Sequence, residues 1–134
     1  MATTTATITL SSSDLTGDAL SLSTSGTLTK ADSVTGLDQT TGVARKIYTQ
    51  NTADTLLDGA LYTAAKAHKV YLRNPSTVAT EYFTITVNAE EIGRLYAGDW
   101  AFFPWSAADD DADIKITPSV ATTMTLEYLL IFEA

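Results

Sequence analysis

The sequence predicts an all-β protein: a β-sandwich, jelly-roll-like, of seven to nine short antiparallel strands with little helix. Three observations predict it. Short runs alternate apolar and polar residues, as where Phe83, Ile85 and Val87 interleave with Tyr82, Thr84 and Thr86. Turn residues such as Asn74-Pro75-Ser76, Asn88-Ala89-Glu90 and Gly98-Asp99 interrupt the runs at the spacing of roughly 8–12 residues typical of sandwiches and barrels. The chain ends in Met124–Phe132, apolar at every even position and, from Leu129, at odd ones too. Such a strand belongs at the centre of a packed sandwich or at a subunit interface.

The elements follow in order. Of the first 42 residues, 19 are Ser or Thr and none is aromatic. Ile8 and Leu10 share a face opposite Thr7 and Thr9. Leu20 and Leu22 share another, opposite Ser21 and Ser23. Thr suits a pleated strand through its branched Cβ. The region therefore reads as short strands with turns, or as a partly extended arm; a flexible Ser/Thr linker is the plainer reading of the same composition. Residues 1–42 form one section and residues 43–134 the sandwich, within one compact domain.

From Val43 the strands become more apolar. Val70 and Leu72 alternate with Tyr71 and Arg73 until Asn74-Pro75 ends the run, since Pro cannot donate to a ladder. Ile92–Tyr96, Trp100–Phe103 and Ile114–Ile116 follow, the last closed by Pro118. Thr52–Ala67 fits a short helix and a strand with a loop equally well. Its Leu56, Leu57, Ala60, Leu61 and Ala64 lie near helical spacing, but Gly59 interrupts them at a cost of about 1 kcal/mol in a helix.

Composition narrows function. A chain of 134 residues with 45% apolar content makes one globular domain. No run of apolar residues is long enough for a transmembrane helix, and Met1–Thr7 has neither the basic nor the apolar part of a secretory signal. There is no cysteine, which removes disulfides, thiolate catalysis and cysteine zinc sites. The net charge of −8 and scattered cations argue against nucleic acid and against anionic membranes as partners.

Catalytic constellations fare poorly. His68 is the one histidine, flanked by Lys66 and Lys69 with no nucleophile elbow in the chain, and reads as an exposed loop residue. Asp109, Asp111 and Asp113 have the opening spacing of a calcium loop. The Gly and Glu that such a loop needs at its sixth and twelfth positions are replaced by Ile114 and Val120. With Asp110, these carboxylates read as a solvated acidic turn. Glu90 and Glu91 are adjacent on a strand, so they point to opposite faces and cannot flank one glycosidic bond. No enzyme activity, metal or cofactor is expected. The aromatics Tyr96, Trp100, Phe102, Phe103 and Trp105 carry more weight, although packing all of them in the core is the plainer reading. Trp100 and Phe102 share one face of a strand, with Phe103 and Trp105 on the other, so one pair can enter the core while the other meets a partner.

The succession Lys69-Val-Tyr-Leu-Arg-Asn-Pro-Ser76, Glu81-Tyr-Phe83, Gly93-Arg-Leu-Tyr-Ala-Gly-Asp-Trp-Ala-Phe-Phe-Pro104 and Leu126-Glu-Tyr-Leu-Leu130 resembles small virion proteins of tailed bacteriophages, of the capsid decoration or cement type. The resemblance covers about residues 69–132 and contains no catalytic motif. It implies a structural protein of the virion, made in the host cytoplasm. Its partners would be the major capsid protein and itself, as a β-rich homotrimer that decorates and stabilises the outer capsid shell. Leu129 and Ile131 are then the expected trimer contacts, and Trp100, Phe103 and Trp105 candidates for burial at the trimer or the shell. The alternatives are a carbohydrate-binding β-sandwich, using the same aromatics as a stacking platform, and another phage head or tail component.

Overall fold

The structure, a computed structural model, describes residues 2–108 and 110–134. It is all-β, as the alternation requires. Eleven strands appear among the described residues: β1 (Thr5–Ser12), β2 (Leu20–Thr27), β3 (Gln39–Thr40), β4 (Ala44–Tyr48), β5 (Asp54–Leu57), β6 (His68–Arg73), β7 (Tyr82–Val87), β8 (Glu90–Tyr96), β9 (Trp100–Trp105), β10 (Ile114–Pro118) and β11 (Met124–Phe132). The segment left open, Thr52–Ala67, resolves into strand β5, a single 3-10 turn at Gly59–Leu61 and a loop.

Strands β4 to β11 make two four-stranded layers. One runs β5-β10-β7-β8 and the other β4-β11-β6-β9, with the short β3 on the far end of β11. All pairings are antiparallel. From β4 onward, successive strands cross between the layers everywhere except at the β7–β8 hairpin, which stays within one layer. This is the double Greek key of a jelly roll. Nine strands thus build the sandwich, and the remaining two, β1 and β2, pair only with each other.

The core lies between the layers. Val70, Leu72, Phe83, Ile114, Ile116, Leu126 and Leu130 are all buried in it. Each belongs to an apolar half of an alternating strand, which is why period-2 patterning located them. Asn74 and His68 are the buried polar residues among those described. Asn74 Nδ2 donates to the Leu95 carbonyl at 3.1 Å and to the Glu81 carbonyl at 3.3 Å, and its Oδ1 accepts from Ser76 N–H at 3.1 Å. Its backbone joins the β8–β9 turn, accepting from Gly98 N–H and donating to the Asp99 carbonyl. The residue that ends β6 therefore also fixes where β9 begins.

The hairpin β7–β8 turns through Asn88 and Ala89, both in the left-handed region at φ 52° and 59°, the geometry of a two-residue type I′ turn. Ile92 has no partner across the pair, because the register slips between Ile85 and Thr86. This bulge leaves Ile92 exposed on an edge strand.

Residues 28–41, which the sequence groups with the N-terminal section, contact the sandwich. Leu28 and Leu37 are buried. Thr41 N–H donates to the Leu130 carbonyl at 3.0 Å, and Glu133 accepts from Ala31 N–H at 3.0 Å. Gly36 sits so close to the start of the chain that a Cβ there would overlap the Ala2 carbonyl. Residues 28–41 are bonded into the sandwich, while β1 and β2 form a separate ribbon.

Candidate interaction surface

The register of β4-β11-β6-β9 sets the outer face of that layer. Glu127 stands opposite Arg45 on one side and Arg73 on the other, and Arg73 opposite Trp100. In the next row Leu129, Tyr71 and Phe102 are successive neighbours. Beyond them Ile131, Lys69 and Pro104 line up. Val70, Leu72 and Leu130 point the other way, into the core. An apolar row thus runs across the sheet between two rows that carry cations.

The electrostatics of this face differ from those of the molecule. In these three rows Arg45, Lys69 and Arg73 stand against one acid, Glu127, although the chain carries a net charge of −8. Arg45 binds Glu127 at 3.3 Å, and the Tyr71 hydroxyl donates to the same carboxylate at 3.3 Å. Burial and then the neighbouring Glu127 carboxylate push the Tyr71 phenol above its usual range.

The ribbon meets this face at its root. Ala6, Thr7 and Ile8 form one wall of a cleft of about 400 Å³ whose other walls include Tyr71, Arg73, Trp100 and Phe102. The ribbon itself is two-faced. Its register sets Thr5, Thr7, Thr9 and Ser11 beside Thr27, Ser25, Ser23 and Ser21 on one side. The other side carries Ala6, Ile8, Leu10, Leu20 and Leu22. That apolar side is not covered by the rest of the chain: Leu10 is 48% exposed. At the tip, between Asp14 and Asp18, Leu15 is 73% exposed.

The residues singled out from sequence divide accordingly. Trp100 (52% exposed), Leu129 and Ile131 share the outer face. Phe103 and Trp105 do not. Phe103 packs against the core, and Trp105 is buried there, its Nε1 donating to the Ala112 carbonyl at 2.7 Å. The indole needs that acceptor once it leaves water, so Trp105 belongs to the interior of its own chain. The alternation was right about the two faces but could not say which faced inward. Tyr71, Arg73 and Arg45 were not singled out. Their signal is their register beside Glu127 and Trp100, which no local pattern reveals.

His68 also corrects the sequence reading. It opens β6 and is 2% exposed, not an exposed loop residue. Pairing with Phe132 and Trp105 carries it inward, where it contacts Tyr62, Trp105 and Phe132. Its Nδ1 lies 3.0 Å from the Lys66 carbonyl, and its Nε2 has no partner among the described residues. Burial lowers its pKa, against the opposing pull of that carbonyl and of Glu133.

The acidic turn is likewise more than a solvated loop. Asp109 lies outside the described residues. Asp113 accepts from Gly59 N–H at 2.8 Å and from the Thr55 hydroxyl at 3.4 Å, tying the turn to β5. Glu91 pairs with Arg94 at 3.1 Å on the exposed edge strand β8. Among the described residues, no three His, Asp or Glu side chains converge as a metal site. No helix among the described residues is long and apolar enough to cross a membrane.

No protein-family model, curated protein or solved structure matches the chain. The fold and the surface are therefore the ground on which function is argued.

Proposed function

We propose that this protein is a structural virion protein that binds the outside of a capsid shell as a homotrimer and stabilises it. One observation carries the reading: a closed jelly roll bears a separate two-stranded ribbon whose apolar side stays open to solvent. An isolated two-stranded hairpin is marginal in water, so such a ribbon gains its order from a surface it binds. The outer face with Trp100, Leu129 and Ile131 supplies a second contact surface. Cementing needs no chemistry. A protein that binds only the assembled shell stabilises it by mass action, and several linked subunits add avidity. The resemblance of residues 69–132 to tailed-phage virion proteins supports the same reading.

The test is co-sedimentation with shells assembled from the major capsid protein of the same virus. Saturable binding and a raised shell melting temperature are expected. Shells that sediment without the protein at micromolar concentration overturn the proposal. A carbohydrate-binding reading draws on the cleft beside the exposed Trp100, where a ring and Arg73 lie together. Retention on a glycan array, lost in Trp100→Ala, would favour it.

A further inference from the structure

We propose that the acidic tip of the β1–β2 ribbon of one copy plugs the cleft between ribbon root and outer sheet face of a second copy, seating Leu15 against Tyr71, Trp100 and Phe102 and setting Asp14 and Asp18 beside Arg73 and Arg45. This deepens the proposed homotrimer and rests on it.

Three observations converge. The first is shape. The cleft of about 400 Å³ is lined mainly by aromatic and aliphatic side chains and is open to solvent, while the tip presents one large apolar side chain that its own chain leaves 73% exposed. Ser12 holds that tip, its hydroxyl accepting from Leu15 N–H at 3.0 Å and donating to Asp14 at 3.0 Å.

The second is charge. The tip carries two carboxylates, and residues 1–29 contain no Lys or Arg. The outer face is a basic island on a molecule of net charge −8. Two copies of such a chain repel over most of their surfaces and attract where tip meets island. Charges so arranged select one docking geometry and suppress others.

The third is reach. Eight-residue strands extend about 26 Å at roughly 3.3 Å per residue, comparable to the diameter of a small domain. The ribbon is rooted on the same face that it would seek on its neighbour. Tip into cleft is therefore a head-to-tail contact, which forms a ring when the rotation closes. Three subunits then share three identical contacts, each covering the Leu15 that its own chain leaves exposed.

The experiment is the mass of the full-length chain by light scattering at tens of micromolar, without any shell. A multiple of 14.3 kDa is expected. Asp14→Arg with Asp18→Arg should reduce it to the monomer, as should Arg45→Glu with Arg73→Glu. Mixing the two reversed proteins should restore a higher mass, since charges reversed on both sides again match. A wild-type mass of 14.3 kDa, or an oligomer unmoved by both reversals, overturns the docking. The natural absence of cysteine permits a second measurement that does not depend on the reversed proteins folding. Thr16→Cys at the tip and Thr7→Cys at the cleft, mixed as single-cysteine proteins, should form a mixed cross-link with a short bismaleimide. Its absence overturns the proposal. Shell co-sedimentation remains a separate readout: a monomer that still coats shells sinks the docking alone, and a cross-linking trimer that ignores shells sinks the decoration reading alone.

Discussion

The imidazole of His68 lies parallel to the ring of Phe132, with centroids 6.2 Å apart and planes 8° from each other. The stack joins the first residue of β6 to the last of β11, directly across the sheet. Tyr62 and Trp105 close it edge-on, and Lys66, Lys69 and Glu133 are the charged groups around it. Protonating this ring puts a cation among aromatic side chains with Nε2 still unpartnered.

Stability should therefore fall in mild acid. Burial lowers the folded-state pKa of His68, while the unfolded chain keeps the ordinary value near 6.5. Below about that pH the unfolded state binds more protons, so stability drops as pH falls and the loss ends below the folded pKa. Urea denaturation between pH 5 and 8 should show this slope, and His68→Gln should flatten it. A slope unchanged in His68→Gln would assign the effect to carboxylates instead.

Asn74→Ala should destabilise the protein by roughly 2–4 kcal/mol, since it strands buried backbone groups that the side chain now satisfies. The midpoint of urea unfolding measures it. A cost below about 0.5 kcal/mol, the range of ordinary surface substitutions, would mean that the β8–β9 turn holds without this clamp.

Ala89→Gly should stabilise the chain by about 1 kcal/mol. Ala89 occupies the left-handed region, where a Cβ is penalised and glycine is not. Thermal unfolding should show a raised midpoint. An unchanged or lowered one would mean that the unfolded-state entropy of glycine offsets the relieved strain.

A chain beginning at Leu28 should fold and melt cooperatively near the temperature of the full protein, because β1 and β2 pair only with each other. A chain beginning at Val43 should melt far lower or aggregate, having lost buried Leu28 and Leu37 and the strand that covers the end of β11. Circular dichroism melts of the two truncations decide it. Equal stability would mean that residues 28–42 add nothing to the stability of the sandwich.

The sequence alone determined that the chain is all-β, which residues share a strand face, and where most turns fall. Those properties are local: side chains alternate with a period of two, and Asn88, Pro75 and Gly98 constrain the backbone where they stand. It also exposed the two-faced character of β11 and of the Ser/Thr-rich ribbon. The tertiary structure decided which face turned inward and which strands became neighbours. Alternation assigned Phe103 and Trp105 to one side of β9, but only the carbonyl of Ala112 and the packed layer opposite made that side the core. His68 looked solvated between two lysines until pairing with Phe132 drew it inside. The basic island of Arg45, Lys69 and Arg73 exists only because β4, β11, β6 and β9 align in one register. Register is set by the summed pairing and burial of strands far apart in the chain, and a one-residue slip would turn every one of these side chains to the opposite face.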